Sequence, residues 1–533
     1  MPLNRTFDLL ITCLLGVVAF ALIAGNPLAV LAGGLVIDTD YANAAAAFEL
    51  FVKDRWHWPL GANPHFGGVN IFFSDGGPWL AMFAKLVRQV SGVFISFHWL
   101  TLINVVMFAV MARRLACLLS KQAWTSWLIT LCLLFSLMMP VRMIGGQHIA
   151  LSSYWVVLWA MCCVPLGEEG NSFRRRWEFV LALTFAVWSH AYLAAMALTL
   201  VGALLLSEKR CKATILALGV ALFLLYVVGV FHGEHAITEG AKAYSLDVLA
   251  FAESLGWALL PNLYTIKTPT QSDAILYLGT GVWLLLAISL VVALVQLLKG
   301  RLAPSLPLSE TSKFWQHGTA TKRLGVLLLA SIALAIYSMT FDLRVAGYVL
   351  VSLDIPSVFE PLYHRFRVTG RFATPLAYCL IILACLAWSR VSRGAPRYVM
   401  YGVAVVVIAL QMADVWVAGK KSPPGDWLAD AKSQRATVAS VAEEGAWSGR
   451  VFRAVGYFDL EQQRMIDLAL VEQGAWFFAV AHGARLNPEE VERRSGYAEA
   501  DAGDVMITLT DADEQLECSK TGTIKNYTLC LVK

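Results

Sequence analysis

Residues Leu9–Val36 read LLITCLLGVVAFALIAGNPLAVLAGGLV, and Asp38-Thr39-Asp40 follow almost at once. An apolar run of this length predicts a membrane-spanning helix, which needs roughly 20 apolar residues. A carboxylate at the mouth of such a helix is costly unless it faces water or a cation, so Asp38 and Asp40 mark a candidate functional site. A solvated acidic turn at a helix end is the simpler interpretation, and the sequence leaves it open.

Composition places the chain among integral membrane proteins. Its 533 residues are 58% hydrophobic and 15% charged, and the mean hydropathy is +0.62. Soluble domains have about 45–50% apolar and about 25% charged residues. The net charge of +4 matters less than the position of the charges. We interpret Leu9–Gly25 as a retained signal-anchor helix, because only weak small-residue cleavage signals follow it.

About eleven segments have the composition of membrane-spanning helices. They are Leu9–Gly25, Val93–Met111, Ala123–Pro140, Ile149–Pro165, Trp177–Trp188, Leu193–Leu206, Ala213–Phe231, Ile275–Leu298, Leu324–Met339, Pro375–Trp388 and Tyr398–Trp416. The two segments around His190 are short. We predict a hairpin there, because merging them would break the charge pattern of the rest of the chain.

Lysine and arginine clusters predict the orientation of these helices. With a cytoplasmic N-terminus, every compact basic cluster between helices falls on the cytoplasmic face, as the positive-inside rule requires. Examples are Arg113-Arg114, Arg174–Arg176 and Lys209–Lys212. We therefore predict a multi-pass protein of the cytoplasmic (inner) membrane. The segments predicted to lie outside are Ile37–Gly92, His232–Asp273, Phe341–Thr374 and the tail from Gly419.

The predicted architecture is a mainly α, polytopic helical membrane protein with a small C-terminal α+β domain outside the membrane. Residues 1–418 form the membrane module, with a first outer loop at 37–92, and residues 419–533 form the tail domain. Lys420–Gly425 reads as its linker. Strands are predicted at Arg450–Val455, Val505–Thr510 and Tyr527–Val532, and helices at Gln473–Ala481 and Pro488–Arg494.

Eight of the ten cysteines lie in predicted helices or at their ends, where they behave as small apolar residues. Cys518 and Cys530 lie in the tail, where an oxidising compartment would permit a disulfide. Cys and His residues nowhere have the spacing of a zinc site, so we predict no structural zinc.

The first outer loop concentrates polar and aromatic residues. Tyr41–Lys53 is alanine-rich and predicts a helix, and Pro78–Val90 predicts an amphipathic helix that lies in the membrane interface. In the second helix an apolar side is opposed to a basic one: Trp79, Leu80, Phe83 and Val87 against Lys85 and Arg88. The density of tryptophans near Asp40 favours a substrate groove, although the aromatic belt of membrane proteins explains Trp56, Trp58 and Trp79 equally well.

Arg365, Arg367 and Arg371 form a cationic cluster in the third outer segment. Because Lys and Arg are biased towards the cytoplasm, a cluster of arginines on the outer face indicates an anionic partner. The planar guanidinium fork suits phosphate, to which it can donate two hydrogen bonds at once. Pairing with lipid headgroups, or with Asp354 and Glu360, is the alternative.

Two histidines lie at outer helix ends beside short turns, in Gly145-Gly146-Gln147-His148 and Ser189-His190-Ala191-Tyr192. A lone histidine in a membrane is more often a packing residue than a ligand. Two of them, both at outer ends, predict a shared water-filled cavity. The sequence does not show that they meet.

This arrangement resembles the GT-C superfamily of membrane glycosyltransferases. The resemblance covers roughly Leu9–Trp416 and is closest to a group of bacterial multi-pass proteins of that type. The matching elements are Asp40, Trp58-Pro59-Leu60-Gly61, Ser74-Asp75 with Pro78, Gly146-Gln147-His148, His190–Tyr192 and Phe366–Arg371. The chain departs from the group at two places. Ala44 stands where the group has a histidine, and Gln147 separates the glycine from the histidine of the turn.

The resemblance implies sugar transfer, with inversion, from a polyprenyl-phosphate-linked donor to an acceptor glycan, lipid or protein on the outer face. Asp40 would be the general base, with Asp38 as the next candidate. The arginines would stabilise the leaving phosphate without a metal. The expected substrate-binding residues are Asp75, Trp58, His148, His190, Tyr192, Arg365, Arg367 and Arg371.

No cofactor follows from this pattern, and a divalent metal is compatible with it but not implied. The expected partners are membrane lipids, the lipid-linked donor and the acceptor, with no nucleic acid. The main alternative is a transporter or flippase of lipid-linked sugars. Such proteins bind substrate near the membrane midplane and often contain repeated halves, neither of which this sequence indicates. A structural assembly protein would explain the tail but not Asp40 with the arginines.

Overall fold

The computed structural model describes residues 5–31, 39–65, 69–144, 148–166, 173–232, 240–264, 275–298 and 318–421, and in the tail residues 451–454, 471, 476–477, 505–509, 518–524 and 527–532. The backbone alone is described for a few of these, including residues 39–40, 173–176 and most of the tail. The described chain is mainly helical and polytopic, as predicted.

The helices in chain order are α1 (Arg5–Ala24), α2 (Leu28–Leu31), α3 (Thr39–Lys53), α4 (Pro78–Ser91), α5 (His98–Leu119), α6 (Ala123–Leu134), α7 (Met138–Ile144), α8 (Trp155–Cys162), α9 (Phe173–Val187), α10 (Ala191–Ser207), α11 (Cys211–Val228), α12 (Thr280–Leu298), α13 (Thr319–Ser338), α14 (Glu360–Arg365), α15 (Thr374–Val391) and α16 (Arg397–Lys421). Short 3₁₀ turns occupy Ala241–Tyr244, Val248–Phe251 and Thr369–Ala373.

Eight helical segments of the described residues are long and apolar enough to cross a membrane. They are Thr6–Ala24, His98–Leu119, Ala123–Ile144, Cys211–Val228, Thr280–Leu298, Thr319–Ser338, Thr369–Val391 and Arg397–Lys421. The apolar helices α9 and α10 are shorter, and they are separate helices joined at residues 188–190, as the predicted hairpin requires.

The predicted span Ile149–Pro165 is wrong as a continuous helix. Residues 149–154 form turns, and only Trp155–Cys162 is helical. Asn104, which is fully buried within α5, contacts this stretch. Its amide NH₂ donates to the carbonyl oxygen of Ile149 (2.9 Å) and to Oγ of Ser152 (2.8 Å). A polar side chain in the bundle therefore satisfies one backbone carbonyl of the turns, and the N–H groups of Ser152 and Ser153 bond within the stretch.

Three ion pairs join helix ends that the predicted orientation assigns to one membrane face. They are Asp8–Arg113, Arg114–Glu178 and Glu208–Lys322. These contacts agree with the predicted grouping of the basic clusters on a single face. Which side of the membrane that face adjoins stays a prediction.

The first outer loop contains the two predicted helices, but Lys85 of α4 was assigned to the wrong side. It was expected on the polar side and is fully buried. The ammonium of Lys85 lies 3.9 Å from the ring centroid of Phe51 and 4.9 Å from that of Trp56. Its four-carbon stem lets the apolar part pack while the charge meets aromatic faces. In α3, residues 41–52 are buried all round, which explains the small alanine side chains.

The outer segment between α13 and α15 contains an antiparallel hairpin of β1 (Asp342–Val345) and β2 (Tyr348–Ser352). The tail contains a mixed five-stranded sheet in the order β4-β3-β5-β7-β6. Its strands are β3 (Val451–Ala454), β4 (Trp476–Phe477), β5 (Val505–Leu509), β6 (Cys518–Ile524) and β7 (Tyr527–Val532).

Three of these strands were predicted, but the predicted helix Gln473–Ala481 is wrong, since Trp476–Phe477 pairs with β3 as a strand. The predicted helix Pro488–Arg494 lies outside the described residues. In the β6–β7 ladder Cys518 lies opposite Val532, and Cys530 lies opposite Thr521. The two cysteines are thus diagonal neighbours, and a disulfide between them stays a prediction. Lys420 and Lys421, read as linker, end α16.

Candidate functional site

Asp75 lies in a tight turn that leads directly into α4. Its φ of 55° is in the left-handed region, which is uncommon for a residue with a side chain and often marks a functional site. Gly77 also has a positive φ, and a Cβ there would lie 2.5 Å from Cδ2 of Leu100. The N–H of Trp79, in the first turn of α4, donates to the carbonyl oxygen of Trp188 (2.8 Å). This bond holds the Asp75 turn against the α9–α10 connection.

Both oxygens of the Asp75 carboxylate face histidines from distant segments. Nδ1 of His148 lies 2.7 Å from Oδ2, and Nε2 of His190 lies 3.2 Å from Oδ1. Burial alone would raise the pKa of Asp75. The hydrogen bonds from the two imidazoles outweigh burial and hold that pKa well below its ordinary value. Asp75 is therefore ionised at neutral pH and only accepts hydrogen bonds.

The partners of each imidazole decide where its proton lies. Nδ1 of His190 accepts from the N–H of Tyr192 (3.2 Å), so a neutral His190 carries its proton on Nε2, towards Asp75. Nδ1–H of His148 donates to Asp75. This leaves Nε2 of a neutral His148 with its lone pair facing away from the carboxylate. The side chain of His148 is 23% exposed.

Tyr192 extends the network to the third outer segment. Its hydroxyl accepts from the N–H of Val368 (2.8 Å), and its ring lies 5.3 Å from the ring of Phe366. The guanidinium of Arg371, which is buried, lies 5.3 Å from the Tyr192 ring centroid. The structure thus joins the Ser-Asp turn, the histidine turn, the His-x-Tyr hairpin and the Phe366–Arg371 element. In sequence these are separate short motifs.

The other predicted binding residues have different surroundings. Arg365 is exposed at the end of α14, and Arg367 is half-buried with its guanidinium 5.1 Å from the Tyr244 ring centroid. Trp58 is exposed, and its ring packs edge-on against Tyr226, 6.0 Å away. Of the three arginines, only Arg371 has a described contact with the Asp75 network through Tyr192.

The stretch after Trp58 is held by the end of α11. The N–H of Leu60 donates to the carbonyl oxygen of Val227 (3.0 Å), and that of Gly61 to Val228 (3.1 Å). A Cβ at Gly61 would lie 2.4 Å from the carbonyl oxygen of Val228, so this close approach requires glycine. The described contacts of the Trp58 stretch are therefore to α11, to its flank and to Ile71, whose N–H donates to the carbonyl oxygen of Gly61 (2.8 Å).

Asp38 lies outside the described residues. Asp40 is the second residue of α3, and its side chain is likewise outside the description. The next residue, Tyr41, is buried, and its hydroxyl contacts Nδ1 of His98 at the start of α5. This contact fixes the first turn of α3 against a membrane-spanning helix. The distance from Asp40 to the arginines stays untested.

Sequence reasoning missed two further polar residues at the site. Asn104 accepts from Oγ of Ser153 (2.8 Å) and from Nε1 of Trp155 (3.1 Å), so it organises the whole turn after His148. His98 positions α3. The signal for Asn104 was a polar residue inside an apolar span, which by default indicates function or packing specificity. Across the described part of the chain, no group of three or more His, Cys, Asp or Glu side chains is arranged to hold a metal.

A family model described as a domain of unknown function, DUF6311, matches residues 13–416. The curated proteins compared with the chain include no match. Crystal structures of ArnT from Cupriavidus metallidurans, in the apo state and bound to undecaprenyl phosphate, each align over 99% of this chain and 98% of their own. For both, the TM-score is 0.47 and the identity 11%.

The apo oligosaccharyltransferase from Archaeoglobus fulgidus aligns over 95% of this chain and 70% of its own, with a TM-score of 0.43 and 11% identity.

Proposed function

Because the chain belongs to the DUF6311 family, which is described only as a domain of unknown function, we propose a function from the motifs and the site themselves. The protein is a membrane glycosyltransferase of GT-C type. It moves a sugar from a polyprenyl-phosphate-linked donor to an acceptor glycan, lipid or protein at the membrane face of the three outer segments. With the basic clusters in the cytoplasm, that face is extracytoplasmic.

One observation carries this proposal. Four motifs that resemble GT-C elements converge through Asp75, His148, His190 and Tyr192 on the segment that carries Arg371. A histidine pair oriented by a carboxylate, next to a buried guanidinium, can hold hydroxyl groups and a phosphate close together.

In the proposed reaction the acceptor hydroxyl attacks the anomeric carbon of the donor. The bond between that carbon and the phosphate oxygen breaks, and polyprenyl phosphate leaves with the electron pair. The hydroxyl proton passes to a carboxylate, for which we propose Asp40, with Asp38 as the alternative. Arg371 is the arginine we place next to the leaving phosphate.

The partners of the other acids in the first loop support Asp40 as the general base. Asp75 accepts from two histidines, and Asp54 accepts from Nε2 of His57 (2.7 Å). Glu49 pairs with Lys53 at 2.8 Å. Each of these described acids of the first loop is engaged by a histidine or lysine partner, so we assign the base to Asp40 rather than to one of them.

The test uses the full chain in liposomes with a panel of synthetic undecaprenyl-phosphate sugars, and release of undecaprenyl phosphate is followed with an acceptor extract. Asp40→Asn should lower the rate about 10²–10⁴-fold, the usual contribution of a general base. Asp354→Asn, which neutralises an exposed acid on the same face, is the matched control. Unchanged turnover in a folded Asp40→Asn protein would reject the assignment of the base. No turnover of any lipid-linked sugar by the native chain would reject the activity.

A further inference from the structure

The hairpin between α13 and α15 presents apolar side chains on both of its faces. Val349, Leu350 and Val351 are consecutive residues of β2, and they are between 45% and 62% exposed. Leu353, just past the strand, is 58% exposed. Neighbouring side chains of a strand point to opposite faces. A strand that packs on a protein surface alternates between buried and exposed, and β2 does not.

The segment that follows the hairpin adds to this apolar surface. Val358 is 77% exposed, and Phe359 and Leu362, at the start of α14 and within it, are each 46% exposed. We call Val349–Leu353 together with Val358–Leu362 the apolar rim. Contiguous exposed apolar surface of this kind marks an interaction site rather than an ordinary solvated loop.

The rim is exposed although the base of the hairpin is firmly held. Asp342 is buried, accepts from Oγ of Ser352 (2.7 Å) and pairs with the guanidinium of Arg344 (3.2 Å). Lys242, from the second outer segment, donates to the carbonyl oxygen of Leu353 (2.7 Å). These bonds fix the direction in which the hairpin projects, so its apolar side chains are displayed by a rigid support.

Aromatic contacts tie the rim to the end of α13, a candidate membrane span. Tyr337, at the end of α13, stacks on Tyr363 of α14 with ring centroids 4.7 Å apart. The ring of Phe341 lies 6.0 Å from that of Phe359. Both contacts place the rim beside the end of a candidate span whose own Ile336 is exposed. Aromatic residues concentrate at this membrane–water boundary.

We propose that the apolar rim is a membrane-interface anchor that inserts into the headgroup–acyl boundary of the leaflet nearest the outer segments. A fluid lipid phase covers both faces of a strand, whereas a protein partner would cover one. The rim lies in the interface and does not cross the bilayer, because the free edge of β2 needs water or headgroups as hydrogen-bond partners. This proposal is independent of the proposed enzymatic activity.

Photolabelling of the full chain tests the anchor. Liposomes contain a phosphatidylcholine with a diazirine in its acyl chain, a water-soluble diazirine is used in parallel, and adducts are mapped by mass spectrometry. We expect acyl-chain adducts on the rim as dense as those on Leu329 of α13, which is also exposed. Val349→Asp/Leu350→Asp should lose them and gain aqueous adducts, while adducts on α13 persist and report folding. The matched variant Val349→Ile/Leu350→Ile should keep them.

Two results would overturn the anchor. One is a native rim labelled by the aqueous probe and not by the acyl chain. The other is a native rim that takes up neither probe, as burial against a protein surface would produce. Turnover of lipid-linked sugars is measured in a separate assay. Rejection of the membrane anchor therefore leaves the proposed activity untouched, and rejection of the activity leaves the anchor untouched.

Discussion

The bond between Asp75 and His148 can be removed from either side, and the structure predicts what each change costs. At 2.7 Å it is a charge-assisted hydrogen bond, a class that stabilises by about 1.5–3 kcal/mol. Both side chains are 23% exposed, so solvent screening favours the lower end. We expect a coupling energy of about 1.5 kcal/mol between Asp75→Asn and His148→Ala in a double-mutant cycle.

The measurement is unfolding of the purified chain in mixed micelles titrated with SDS. His148→Asn is the matched control, because its amide N–H can replace Nδ1–H as the donor to Asp75. It should keep most of the stability that His148→Ala loses. A coupling energy near zero, or equal losses in the Asn and Ala variants, would refute the assignment of this hydrogen bond.

The same bond predicts a dependence on pH. The pKa of Asp75 is lowered on folding because both histidines stabilise the carboxylate. Its contribution is therefore complete above the unfolded-state pKa of about 3.9, and it is lost as the pH falls through the lower pKa of the folded chain. The stability difference between the native chain and Asp75→Asn should shrink as the pH falls below about 4. A difference that grew in acid would contradict the direction of the pKa shift.

Two further predictions concern buried charges outside the network. Burial lowers the pKa of Lys85 to about 8, so the stability of the native chain should rise by about 3 kcal/mol between pH 8 and pH 10.4. Lys85→Met should abolish this rise in the SDS titration. The carboxylate of Asp414 accepts from the N–H of Leu259 and from the N–H and hydroxyl of Thr280. Asp414→Ala should cost about 2–4 kcal/mol in the same titration, and Asp414→Asn, which keeps one acceptor, should cost less.

The membrane part of the fold was predictable because its signal is local. Apolar length alone identifies helices such as α1 and α12, since backbone groups in lipid must be satisfied within the helix. The prediction failed at Ile149–Pro165, where the apolar length was present but residues 149–154 form turns, and Asn104 of another helix binds the carbonyl oxygen of Ile149. The prediction that Lys85 lies on the polar side of α4 failed for a similar reason. Charge predicts a solvated face, and only the positions of Phe51 and Trp56 show how the ammonium is accommodated.

The candidate site was predictable as a set of residues but not as a network. Position at outer helix ends identified His148, His190 and Tyr192, and the Ser74-Asp75 motif of the first outer loop identified Asp75. The sequence could not predict their pairing, because Asp75 and His148 are 73 positions apart. The turn that carries Asp75 is also held by Trp188, which belongs to another segment. The three arginines were treated as one cluster because they are close in sequence. Their side chains differ in exposure and in their neighbours.

Tyr192 connects the two halves of the network through different atoms. Its main-chain N–H donates to Nδ1 of His190 and thereby keeps the His190 proton directed at Asp75. Its hydroxyl accepts from the N–H of Val368, three residues before Arg371. An anion that binds Arg371 and shifts its segment would therefore act on Tyr192, the residue that sets the tautomer of His190. Phenylalanine could supply the ring and the main-chain bond but not the acceptor, so the hydroxyl joins the arginine segment to the carboxylate.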